Sequence, residues 1–100
     1  MTSLTDGIID IAMRPADQVP DLPLDFAKLS LLDWMTCGIA GTSEPLAVNL
    51  RQLAAGEGGQ PVASVLGGMR VPPRMAALVN GATSHALDYD DTHFAHVGHL

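Results

Sequence analysis

Apolar residues recur at helical spacing in four stretches of the chain, separated by proline, glycine and short polar runs. From Asp6 to Met13, Ile8, Ile9, Ile11 and Ala12 share one helical face, which predicts a short first helix; Pro15, Pro20 and Pro23 then punctuate the chain before the second. Leu24 to Ala40 carries Phe26, Leu29, Leu32 and Ile39, and Leu31, Trp34 and Met35 widen that stripe beyond one narrow seam. A helix apolar over so wide a face is expected to be buried on more than one side. Gly41, Thr42 and Ser43 end it and offer a cap to a third helix running to about Ala55. Glu44 and Pro45 fall just inside that helix, where a negative charge and a missing N–H are both tolerated.

Gly56, Gly58, Gly59 and Pro61 break the chain again. They do not form a phosphate loop, because no Gly-Lys-Ser/Thr comes after them. Val62 to Leu66 is a short apolar run, either a strand or a buried extended segment; five residues do not decide between the two. Pro72 and Pro73 stand where a helix starts, and Arg74 to Leu87 carries Met75, Leu78, Val79, Ala82 and Ala86 at helical spacing. Its other positions include Ala76, Ala77, Gly81, Thr83 and Ser84, so a neighbouring backbone can come close. Gly81 costs about 1 kcal/mol against alanine in a helix interior, and a packing role is expected of it. The fold class expected is mainly α: about four helices with one short extended segment, and no internal repeat.

Composition adds a partner to this picture. A chain of 100 residues forms one domain at most and buries only about two-thirds of its unfolded surface. Hydrophobic residues nevertheless make up 47% and charged ones 16%, which is apolar for a small monomer. The excess is expected to meet the remainder of a longer chain, a second subunit, or both. A net charge of −6 with five Lys plus Arg leaves no basic stripe, which disfavours nucleic acid. A carboxylate ligand would need its cationic clamp from outside this segment. Cys37 is the single cysteine, so no internal disulfide forms; it is expected to be a small buried hydrophobe in a reducing compartment. The start is polar and acidic, and no apolar run approaches the roughly 18 residues of a membrane span. A cytoplasmic protein with no membrane association is expected.

The chemistry is concentrated in Asn80 to His99, NGATSHALDYDDTHFAHVGH, where all four histidines and three aspartates fall between His85 and His99. Asp88 comes just after the fourth helix, where the dipole disfavours an anion and should make it a stronger base. Three readings are open. In the first, an Asp or His takes a proton from carbon beside a carboxylate while a hydroxyl such as Thr92 orients the substrate. In the second, His93, His96 and His99, at three-residue intervals beside Asp90 and Asp91, bind zinc or iron, although no HExxH is present. In the third, the stretch is a solvated polar loop after a buried helix.

The run Ala77 to His99 resembles the signature of the MmgE/PrpD family, which includes 2-methylcitrate dehydratases, cis-aconitate decarboxylases and iminodisuccinate epimerases. Leu31 to Ala40 (LLDWMTCGIA) is similar to the family's early helix, and Ala63 to Gly67 (ASVLG) to the stretch before the signature. The likeness covers most of the chain from about residue 24. It implies a large helical domain joined to a smaller α+β lid domain, an active site between them, and a homodimer. Residues 1–100 would then be an incomplete N-terminal portion of the helical domain, with its C-terminal remainder and the lid domain absent.

The resemblance also implies roles. The family's active-site Asp falls on Asp88, the Thr closing its D-aromatic-D/N-D-T run on Thr92, and its next His on His99. Leu100 stands where the family usually has Pro, and the family's later Lys, His and Tyr have no counterpart here. The implied activity is that of a metal-independent lyase, 2-methylcitrate dehydratase-like, with no cofactor. Asp88 and His99 would be general acid and base, and Thr92 would bind a small di- or tricarboxylate. Epimerisation of an amino-dicarboxylate on the same scaffold is the second enzyme hypothesis. A non-catalytic helical module that dimerises or docks through its apolar helices is the third.

Overall fold

The computed structural model describes residues 3–90, 92–95 and 97–99. Four helices form where the hydrophobic period predicts them, with ends set by local chemistry. α1 (Leu4–Ala12) starts before Asp6 because Ser3 and Asp6 cap it reciprocally: the Asp6 amide donates to Ser3 Oγ and the Ser3 amide to the Asp6 carboxylate, both at 3.1 Å. α2 (Asp21–Ala40) also starts early, because Pro23 lies in its first turn, where an N–H would have no helical partner. In α3 (Pro45–Glu57), Glu44 is the extended N-cap residue and Pro45 the first helical one; the helix ends at Gly58, φ +67°. α4 (Pro73–His85) opens on its second proline.

The extended segment left open by the sequence is a strand. β1 (Ala63–Val65) pairs antiparallel with β2 (Met69–Val71), in register Ala63 to Val71 and Val65 to Met69. Gly67 and Gly68, at φ +101° and +99°, make the reversal, a conformation that side chains disfavour. Val65 and Val71 turn inward onto Ala54 of α3 and Ala76 and Val79 of α4, which forms the core. Asn80 fastens this ribbon to α4: its Oδ1 accepts from the Leu66 amide at 2.8 Å and its Nδ2 donates to the Ser64 carbonyl at 3.0 Å.

The lean α4 does meet a close neighbour, but Gly81 is not the residue that permits it. A Cβ on Gly81 would enter open space. The close approach comes from Gly38 and Gly41 instead: a Cβ on the first would strike the Leu66 side chain, and on the second the Thr83 carbonyl. Thr83 and Ser84 are buried against that end of α2.

The expectation that α2 is buried on more than one side does not hold within this chain. Only Cys37 and Gly38 of its residues are buried, and α1 buries none. Phe26, Leu29 and Leu32 are each more than 60% exposed. The apolar period predicted the helix, but only the last turns of α2 reach α4. The accessible surface is 7483 Å², against about 5,400 Å² for a compact monomer of this size. No helix among the described residues is long and apolar enough to cross a membrane.

Candidate functional site

The histidine- and aspartate-rich stretch leaves α4 by a tight turn. The Asp88 amide donates to the His85 carbonyl at 2.9 Å, and Asp88 takes φ +54°, a left-handed conformation that aspartate tolerates better than most residues. That turn brings Asp90 back beneath His85. Next comes a second ribbon: β3 (Thr92–His93) pairs antiparallel with β4 (Gly98–His99), Thr92 opposite His99 and His93 opposite Gly98. It closes the stretch on itself and returns His99 to the end of α4. Val97, also at φ +54°, holds the reversal in a conformation that strains a β-branched side chain.

Four side chains converge there. Asp90 joins two imidazoles, with one oxygen 3.0 Å from His85 Nδ1 and the other 3.1 Å from His99 Nδ1. Asp88 Oδ1 lies 3.4 Å from His99 Nε2 and 3.9 Å from His85 Nδ1. The two rings meet edge to face, with centroids 4.5 Å apart. The Asp90 side chain is 16% exposed, whereas that of Asp88 is 79% exposed. One carboxylate is therefore enclosed and the other open to an incoming molecule.

This enclosure sets the charges. The hydrogen bond with Asp90 raises the His85 imidazole above its usual range; the charges of Asp90 and Asp88 add to that and burial opposes it. For Asp90, burial pushes the carboxyl up. The hydrogen bond with His85, one from its own backbone amide and the charges of His99 and His85 outweigh it, so the carboxyl sits below its usual value. The nearby Cys37 thiol is pushed up by burial first, then by the charges of Asp33 and Asp90. It is a buried, free cysteine, as the sequence suggests.

Of the residues singled out from sequence, Asp88 and His99 are in contact. Thr92 is exposed and lies directly across the ribbon from His99, so its hydroxyl rises on the same face. His93 projects to the other face. His96 and Asp91 lie outside the described residues. The open metal reading at His93, His96 and His99 includes His96, outside the described residues; among the described residues, donor atoms of His85, Asp88, Asp90 and His99 all lie within 4.8 Å of one another. Imidazole with carboxylate suits zinc or iron chemically. His85 and Asp90, which sequence reasoning gave no place in acid–base chemistry, are central to the cluster. An open hollow of about 360 Å³ is lined by Leu29, Ser30, Asp33 and Tyr89, the last of which lies between Asp88 and Asp90 in the chain.

A family model for the MmgE/PrpD N-terminal domain matches residues 11–100. The chain belongs to the MmgE/PrpD family. Residues 11–100 take in α2, α3, α4 and the whole cluster, so the convergence of Asp88 and His99 lies inside the MmgE/PrpD match. A curated relative, the cis-aconitate decarboxylase-like protein oryM of Aspergillus oryzae (strain ATCC 42149 / RIB 40), is 32% identical over 84 residues. That match covers 83% of this MmgE/PrpD chain and 17% of the relative, so the chain spans about a sixth of the relative's length. No solved structure matches the chain significantly.

Proposed function

We propose that this chain supplies part of the acid–base machinery of a metal-independent lyase acting on a small di- or tricarboxylate. The observation that carries the reading is the contact of Asp88 with His99, at 3.4 Å, with Thr92 paired opposite His99 on the ribbon. Family membership and the likeness to a cis-aconitate decarboxylase-like protein support it.

The chemistry fits what the cluster offers. In a dehydration, a base takes the proton from carbon beside a carboxylate, the C–O bond breaks, and an acid protonates the departing hydroxide to give water. In a decarboxylation, a C–C bond breaks, carbon dioxide leaves, and an acid protonates the carbon that keeps the electron pair. Both pass through negative charge next to a carboxylate and both need one proton moved at that carbon. Asp88 and His99, a carboxylate and an imidazole 3.4 Å apart, suit that step, and Thr92 would hold a substrate oxygen by its hydroxyl. Positioned proton transfer contributes typically about 10²–10⁴-fold. Stabilisation of the developing anion has to come in addition, from cationic groups. Among the described residues the cluster holds no Arg or Lys, so a cationic clamp would be contributed from outside residues 1–100.

The exposed apolar residues of α1 and α2 favour assembly with further protein, and a homodimer is the arrangement we propose for the complete enzyme. Turnover of cis-aconitate and of 2-methylcitrate by the complete polypeptide in deuterated water tests the activity. Deuterium is expected at the carbon beside a carboxylate in the product of decarboxylation, or exchanged there in recovered substrate of dehydration. Exchange at the α-carbon of an amino-dicarboxylate without elimination would select epimerisation instead. Neither turnover nor exchange with any of these would remove the proposal.

A further inference from the structure

We infer that His85, Asp88, Asp90 and His99 together bind a divalent transition metal ion of the zinc class, and that the bound ion inhibits turnover; the inhibition rests on the proton-transfer reading above.

The donor set has the chemistry such an ion selects. One ligand atom from each of the four side chains lies within 4.8 Å of the other three. Around a tetrahedral zinc with nitrogen and oxygen ligands at about 2.0–2.1 Å, neighbouring donor atoms stand about 3.3 Å apart. The gaps from His85 to Asp90, from His99 to Asp90 and from His99 to Asp88 are 3.0, 3.1 and 3.4 Å, and that from His85 to Asp88 is 3.9 Å. The small closure still needed falls on Asp88, whose exposed side chain can turn without losing packing. Both nitrogens of His99 face a carboxylate, so either can serve as the ligand and no tautomer has to be assumed. Two carboxylates cancel the charge of the ion while both imidazoles stay neutral. Imidazole suits zinc, nickel and copper, whereas magnesium and calcium prefer oxygen ligands throughout.

The fold gathers these ligands from three places. His85 closes α4, Asp88 and Asp90 come from the turn behind it, and His99 from β4. The more enclosed Asp90 and His99 form a floor, and the exposed His85 and Asp88 leave a way in. Entry has a chemical consequence. The ion takes the place of the hydrogen between His85 Nδ1 and Asp90, and a ligand gives the metal the lone pair that would otherwise accept a proton. With Asp88 and His99 both coordinated, neither can act as acid or base until the ion leaves.

The complete polypeptide, stripped of metal, is titrated with zinc sulfate against a chromophoric chelator. An equivalent per chain is expected at this site, weakened by more than about 100-fold in His85→Ala, beyond the usual cost of losing an outer-shell partner. X-ray absorption at the zinc edge needs no variant and should show imidazole and carboxylate ligands at about 2.0–2.1 Å. Zinc should lower parent turnover by about 10²–10⁴-fold at saturation, the factor that positioned proton transfer supplies. A chelator should restore it, and magnesium should have no effect. In His85→Ala, measured against its own metal-free rate, the same zinc concentration should inhibit far less. Unaltered zinc affinity in a natively folded His85→Ala, a zinc site without imidazole, or a zinc-saturated parent turning over at its metal-free rate or faster would each overturn the inference. Failure of the lyase reading has a different signature: zinc would bind as described, but metal-free Asp88→Asn would turn over as fast as the parent.

Discussion

The Asp88 carboxylate lies 3.4 Å from Nε2 of His99, although one residue belongs to the turn after a helix and the other to the far strand of a ribbon. Two devices create this contact. Asp88 adopts a left-handed conformation that folds the chain back under His85, and the pairing of Thr92 with His99 folds it back again. The outcome is a cluster in which two carboxylates and two imidazoles converge.

The pH response of the cluster is set by its two shifted groups. His85 is raised above 6.5, so its pairing with Asp90 contributes in full below that value and is lost as pH climbs through the raised one. Asp90 is lowered below 3.8, so its contribution is present above that value and is lost as pH falls through the lowered one. The pair should hold through the mildly acidic range between them. Histidine NMR titration should give His85 a midpoint above 6.5, moving down in Asp90→Asn.

Two glycines of the helix pair should respond in opposite directions to alanine. Gly41→Ala drives a Cβ into the Thr83 carbonyl, which has no flexible end to move aside, and should destabilise by about 1–3 kcal/mol. Gly81→Ala meets nothing and gains helix propensity, so it should stabilise by up to about 1 kcal/mol. Denaturant midpoints of both variants check this. Destabilisation by Gly81→Ala would show that another part of the protein covers that face.

Asn80 needs both ends of its amide. Asn80→Asp can still accept from the Leu66 amide but cannot donate to the Ser64 carbonyl, and it sets a negative charge against that oxygen. A loss of about 1–3 kcal/mol is expected in denaturant unfolding. Faster hydrogen exchange at Leu66 would accompany it.

Cys37 should be inert while the protein is folded. Burial together with the charges of Asp33 and Asp90 keeps its thiol protonated. A thiol-disulfide reagent at neutral pH should label it only after denaturant is added.

Much of this was legible in the sequence, for reasons tied to particular residues. The stripes Leu29–Leu32–Ile39 and Met75–Leu78–Val79 repeat at helical spacing, so helices could be read from them. Their starts were less legible, because Ser3 and Pro23 act through caps and orphan amides instead of periodicity. The strands β2, β3 and β4 have three or two residues each, too few to show an alternation. The resemblance pointed to Asp88, Thr92 and His99, of which Asp88 and His99 come within 3.4 Å of each other. Nothing in the spacing showed that Asp90 would come within 3.1 Å of both His85 and His99, since that depends on a left-handed backbone at Asp88 and on which ribbon residues pair. Likewise, the small residues of α4 announced a close neighbour, but only the helix crossing could assign the contact to Gly38 and Gly41.

The most direct test of the central claim is steady-state turnover of the complete polypeptide carrying Asp88→Asn, with folding checked by circular dichroism. A natively folded variant whose kcat has fallen by about 10²–10⁴-fold is the expected result. A natively folded variant that turns over its carboxylate substrate at the parent rate would contradict the account.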